Sequence, residues 1–156
     1  MPATPPADES FFSTAPKRWT DTFHIDRPAA EVWAAITADD ALHWCRAISV
    51  HWTSARPFGV GTTRQVKVFG GVLSAHERFF VWEEGRRKAF HITSANLPLF
   101  RRLAEDYVVE PEGDAACRFT WTIAAEPTTL GKPGGPVNDA LMKSLFKDTR
   151  RHFDAR

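Results

Sequence analysis

"GTTRQVKVFGGVLSAHER", residues 61–78, alternates polar and apolar side chains on either side of Gly70-Gly71. Alternation at period two sends successive side chains to opposite faces of a strand, and paired glycines supply the positive φ of a tight turn. The stretch therefore reads as a β-hairpin. With the turn centred on the two glycines, Val68 faces Leu73, Val66 faces Ala75, Arg64 faces Glu77 and Thr62 faces Phe79. The other side pairs Lys67 with Ser74, Gln65 with His76 and Thr63 with Arg78. That second face is polar throughout and belongs to water. The first is the core face, and it carries an arginine directly opposite a glutamate.

Working outward, the same alternation recurs. "RWTDTFHID" (18–26) is a half-buried strand, and "AISVHWTS" (47–54) another. Further strands are expected at 62–69, 72–83, 87–94, 102–110 and 116–126, broken by Gly70-Gly71, Glu84-Gly85-Arg86, "NLPLF" and "PEGDA". On the strand 87–94 the inward parity selects Phe90 and Ile92. A turn over 111–115 would pair Val109 with Cys117, Tyr107 with Phe119, Glu105 with Trp121 and Leu103 with Ile123. Here too a mostly apolar face receives one carboxylate.

Two short helices are expected after the first strand. One contains "AAEVWAAIT", capped by Asp26 with Pro28 in its first turn; the other is "DDALHWCR" (39–46). After the connector "TTLGKPGGP", residues 137–156 carry Val137, Leu141, Met142, Leu145, Phe146, Thr149 and Phe153 as one stripe at helical spacing. The order is strand, two short helices, six strands and one long C-terminal helix. That is an α+β fold in which the last helix covers the apolar face of an antiparallel sheet.

Composition bounds the rest. The 156 residues suit one domain, here 17–156, after a proline-rich stretch at 1–16 that reads as a flexible lead-in. Twenty basic against nineteen acidic side chains leave a net charge of +1, with no global attraction for nucleic acid. No apolar run reaches the ~20 residues of a membrane span, and no secretory leader is visible. Two distant cysteines form no disulfide framework, and a cytoplasmic location is expected. The six histidines lack metal-ligand spacing, so no metal or other cofactor is expected. Cys45 and His43 stand two apart and would not face each other on a helix, so Cys45 reads as a buried inert thiol.

The pattern resembles a known superfamily, the START-related, Bet v 1-like domains, and within it the polyketide cyclase/dehydrase and lipid-transport group. The matching pieces are "IDRPAAEVWAAITADDALHWC", "GVGTTRQVKV", "HERFFVWEEGRRKAFHI", "LPLF" and "CRFTWTIAAEP", which together span about 18–155. The resemblance implies a helix-grip fold, a curved seven-stranded antiparallel sheet wrapped around a long C-terminal helix over a hydrophobic cavity. It implies a ligand such as a lipid, sterol or polyketide, and in some members aromatase/cyclase activity. It transfers no catalytic motif.

The expected ligand site is an apolar cavity lined by Val66, Phe79, Phe90, Ile92, Tyr107, Phe119, Trp121, Leu141 and Leu145. Burying a charge is costly, so an inward Arg64, Glu77 and Glu105 point to a pocket with a few polar groups that orient a ligand. A self-satisfied Arg64–Glu77 ion pair is the plainer alternative. As an enzyme, a cyclase or dehydratase, the chain would use Glu105 or Glu77 as acid or base and Arg64 to stabilise an enolate. A third reading is a co-chaperone-like module that binds protein. A small hydrophobic molecule is the expected partner, and the sequence does not choose between monomer and dimer.

Overall fold

The computed structural model describes residues 1–154. Seven strands form one antiparallel sheet: β1 (Lys17–Ile25), β2 (Ile48–Trp52), β3 (Thr63–Val68), β4 (Leu73–Glu83), β5 (Arg87–Ala95), β6 (Phe100–Pro111) and β7 (Cys117–Pro127). Their spatial order is β1-β7-β6-β5-β4-β3-β2. Every neighbour but the β1–β7 pair is a sequential hairpin, so the sheet follows directly from local turns. The long helix α3 (Gly135–Asp154) buries Met142, Leu145, Phe146, Thr149 and Phe153 within the core. This is the helix-grip architecture expected. Residues 155 and 156 of the expected helix lie outside the described residues.

The first hairpin pairs Val68 with Leu73, Val66 with Ala75 and Arg64 with Glu77, as the glycine pair dictates. The β6–β7 hairpin differs. Tyr107 pairs with Trp121, Val109 with Phe119, Glu105 with Ile123 and Leu103 with Ala125. The turn is closed by Glu112 N–H donating to Ala116 O, with Gly113 at a φ of 77°. The register is therefore two residues from the expected one. A slip of two keeps every side chain on its face, so the inward set survives the correction.

The expected helix over 39–46 is absent. Residues 38–47 form successive turns, with Ala41 N–H bonded to Ala38 O, His43 to Asp40 O and Cys45 to Leu42 O. Leu42 has a φ of 62°, which a right-handed helix cannot pass through, and this turns its side chain into the core. The one helix here is α2 (Ala29–Ile36), which begins after Pro28 and buries Val32, Trp33 and Ile36.

The stretch expected to be a flexible lead-in instead packs on the sheet. Short helix α1 (Phe11–Thr14) presses Phe11 and Ala7 onto Ala104 and Ala124, on the sheet face opposite α3. Proline content hid an anchor that two adjacent phenylalanines supply. Further upstream, β5 stays paired with β6 only as far as His91–Ala104. Beyond that point residues 2–4 take the vacated bonds. Thr4 N–H donates to Thr93 O, Thr4 Oγ1 to Ile92 O, and Ala95 N–H to Pro2 O.

Candidate ligand cavity

Between sheet and α3 lies a cavity of about 70 Å³. Of the residues expected to line it, Val66, Ile92, Tyr107, Trp121, Leu141 and Leu145 do so, with Arg64, Glu77 and Glu105. Phe79, Phe90 and Phe119 do not. They point inward as expected but are fully buried in the aromatic core beyond the cavity, Phe79 against Phe90 at 5.3 Å and Phe119 against Tyr107 at 6.0 Å between ring centroids. Leu42, Leu73, Met142 and Thr4 complete the wall instead. Thr4 and Leu42 were hidden because each depends on a correction to the expected fold.

The charged residues sit among the apolar ones. Arg64 is 1% exposed and Glu77 2%, and Arg64 Nε donates to Glu77 Oε1 at 2.7 Å. Burial pushes Glu77 above the ordinary carboxylate value, and the Arg64 cation pulls it back. Burial also works against the Arg64 cation, but Glu77 outweighs it and holds the guanidinium charged. At this separation, in a dry site, the two remain an ion pair. The guanidinium carbon lies 4.9 Å from the Phe90 ring centre and 5.1 Å from that of Trp52.

Glu105 has a different environment. Tyr107 Oη donates to its Oε1 at 3.0 Å and Trp121 Nε1 donates to the same oxygen at 2.8 Å. Burial and then the repulsion of Glu77 raise its pKa to about 7, against the opposing pull of Trp121, Arg64 and Tyr107. Burial first, then Glu105, raises the Tyr107 phenol well above its usual value, so it stays a donor. The cavity thus holds one carboxylate neutralised by arginine and one poised to gain or lose a proton near neutrality.

One further charge went unnoticed in the sequence. Lys88 is fully buried on β5, with its Nζ 4.2 Å from the Tyr107 ring centre, 5.0 Å from Phe79 and 5.6 Å from Trp52. The parity that selects Phe90 and Ile92 selects Lys88 as well, two residues earlier. It was a legible signal. Cys45 is buried, its thiol pushed to about 12 chiefly by burial, and its sulfur lies 3.6 Å from Thr149 Oγ1. Among the described residues, no three His, Cys, Asp or Glu side chains converge as a metal site would. No helix among the described residues is long and apolar enough to cross a membrane.

Leu97, Phe100 and Leu141 also line the cavity, and Leu97 reaches the surface, so the opening is assigned to this end. There the β7–α3 connector is fastened to the β5–β6 loop. Thr128 N–H donates to Leu99 O and Thr128 Oγ1 to Pro98 O. Gly131 passes so close that a Cβ on it would stand 2.0 Å from Leu99 O, so only glycine fits.

Residues 17–153 match the family model described as "Polyketide cyclase / dehydrase and lipid transport". The chain belongs to that family. By sequence the chain is similar to an uncharacterised protein of Mycobacterium tuberculosis, 32% identical over 155 residues, spanning 94% of this chain and 90% of that one. A START superfamily protein from Mycobacterium smegmatis superposes with a TM-score of 0.67 at 12% identity, over 88% of this chain and 97% of that one. The di-domain ARO/CYC BexL, from the BE-7585A biosynthetic pathway, gives 0.62 at 17% identity, over 88% of this chain and 46% of that one. At such identities the two structures are similar in fold alone. The fold and the family support a START-like ligand-binding domain.

Proposed function

We propose that the protein binds a small hydrophobic molecule of the lipid, sterol or polyketide kind between its sheet and α3. The observation that carries this reading is an inner wall that is apolar except for a few convergent polar groups, Arg64, Glu77, Glu105 and Tyr107. Ligand pockets typically enclose ~300–1,000 Å³, so a molecule of that size requires α3 and the loop at Leu97–Phe100 to part from one another. Native mass spectrometry and displacement of Nile red by fatty acids, sterols and aromatic polyketides test the reading. Binding of at least one class at one molecule per chain is expected. Failure of every apolar compound to bind would remove it.

A second reading rests on Glu105. A carboxyl near neutrality, outside the Arg64–Glu77 ion pair and held by a phenol and an indole, is suited to general acid–base work on a cyclising or dehydrating polyketide-like substrate. The similarity in fold to an ARO/CYC di-domain makes such substrates the ones to try. On an identified substrate, Glu105→Gln is expected to lower kcat by ~10²-fold or more. A rate unchanged in a folded variant would exclude Glu105 from the chemistry.

A further inference from the structure

Among the described residues, two buried side-chain nitrogens have no hydrogen-bond acceptor: Arg64 Nη1 and Lys88 Nζ. They are close to one another: both groups lie against the same two rings, and the Arg64 charge acts on Lys88. Arg64 Cζ is 5.1 Å from Trp52 and 5.3 Å from Phe79, and Lys88 Nζ is 5.6 Å and 5.0 Å from them. Leaving a buried donor without a partner is costly, and more so where it is charged. Two orphaned donors side by side mark a place for an acceptor that the chain does not itself supply.

The surroundings define that acceptor. Arg64 lines the cavity and Lys88 lies behind its wall among Trp52, Phe79 and Tyr107, so the place adjoins the ligand space. The rings of Trp52, Phe79, Phe90 and Tyr107 lie against the two groups, and the Tyr107 hydroxyl gives its proton to Glu105. Charge narrows the choice further. The ionisable groups facing Lys88 are Arg64 on β3, Glu77 on β4, and Glu105 and Tyr107 on β6. Glu77 is matched by Arg64 at 2.7 Å. Glu105 carries its proton up to about pH 7. Burial drives the Lys88 pKa well below the ordinary lysine value and the Arg64 cation pushes the same way, against the weaker pull of Glu77 and Glu105, so Lys88 is the one inner basic group left without an anion of its own. A single negative charge with two oxygens satisfies both donors.

We infer that the blind end of the cavity receives the carboxylate of an apolar monocarboxylic acid, held between Arg64 Nη1 and Lys88 Nζ. The inference rests on the ligand-binding reading and gives it a direction. The acid head enters first, and the apolar tail runs past Val66 and Ile92 to the mouth at Leu97, Phe100 and Leu141. Lys88 gains a proton as the carboxylate arrives, because a nearby anion favours the charged amine.

Isothermal titration of the wild-type protein and of Lys88→Met with octanoic acid, methyl octanoate and 1-octanol tests this directly. The three probes share a chain length and differ at the head. At neutral pH the wild type is expected to bind octanoate about tenfold or more tighter than ester or alcohol, the effect of a charged hydrogen bond. Lys88→Met is expected to lose that preference while binding the ester as the wild type does. Equal affinity for the three heads in the wild type, or a preference that survives in the variant, overturns the inference and leaves the cavity reading intact. Binding of none of the three overturns both. Should Lys88→Met fail to fold, carbon-13-labelled lysine in the wild type decides: the Lys88 Cε resonance must move with octanoate and not with methyl octanoate. A resonance indifferent to octanoate refutes the proposal.

Discussion

Glu105 shows how one side chain acquires its chemistry from its neighbours. An ordinary glutamate ionises near 4.5; this one holds its proton to about 7 because burial and Glu77 oppose the charge. The folded state therefore binds a proton more tightly than the unfolded chain, and its stability is fullest below pH 4.5. As pH rises from 4.5 to about 7 that contribution is lost, by about 3 kcal/mol, and above 7 the curve is flat for this group. Urea unfolding across that range should show the fall in the wild type and a much shallower profile in Glu105→Gln. Matching profiles would mean that Glu105 is not perturbed. Arg64 and Glu77 were legible because a hairpin with a two-glycine turn has only one register. Lys88 lay on the same readable parity, directly after the Arg86-Arg87 pair at the start of β5.

At the scale of elements, the β7–α3 connector passes closely over the β5–β6 loop, whose flanking Leu97 and Phe100 line the cavity. Gly131 is needed there for space, since a methyl group would meet Leu99 O at 2.0 Å. Gly131→Ala is expected to push the connector away from the loop and break the Thr128–Leu99 contact, at a cost of ~1–3 kcal/mol. Bound fluorescent ligand should then dissociate several-fold faster in stopped flow. A release rate equal to that of the wild type would show that ligand leaves by another route. The sequence announced this connector only as a stretch rich in glycine and proline. Nothing local says that one of its glycines faces a carbonyl 32 residues earlier in the chain. The same limit explains the residues 1–16. Prolines argued correctly against long helix or strand, yet Phe11 found Ala104 and Ala124, and residues 2–4 found the open edge of β5, only because the sheet was there to receive them.

For the whole molecule, what the amino-acid order settled was the succession of strands, the faces of each and the helix that closes them. These follow from periods of two and 3.6 residues and from turns a few residues long, which are properties of neighbouring positions. Even the misplaced β6–β7 turn preserved them, since a shift of two residues returns each side chain to its own side. Tertiary structure alone decided how much of the interior is solid and how much hollow, and which buried charges meet. Phe79, Phe90 and Phe119 fill the space beyond the cavity, while Arg64, Glu77, Lys88 and Glu105 converge from β3, β4, β5 and β6. The physical reason is that ion pairing and desolvation depend on distances across four strands, and no periodicity along one strand encodes them.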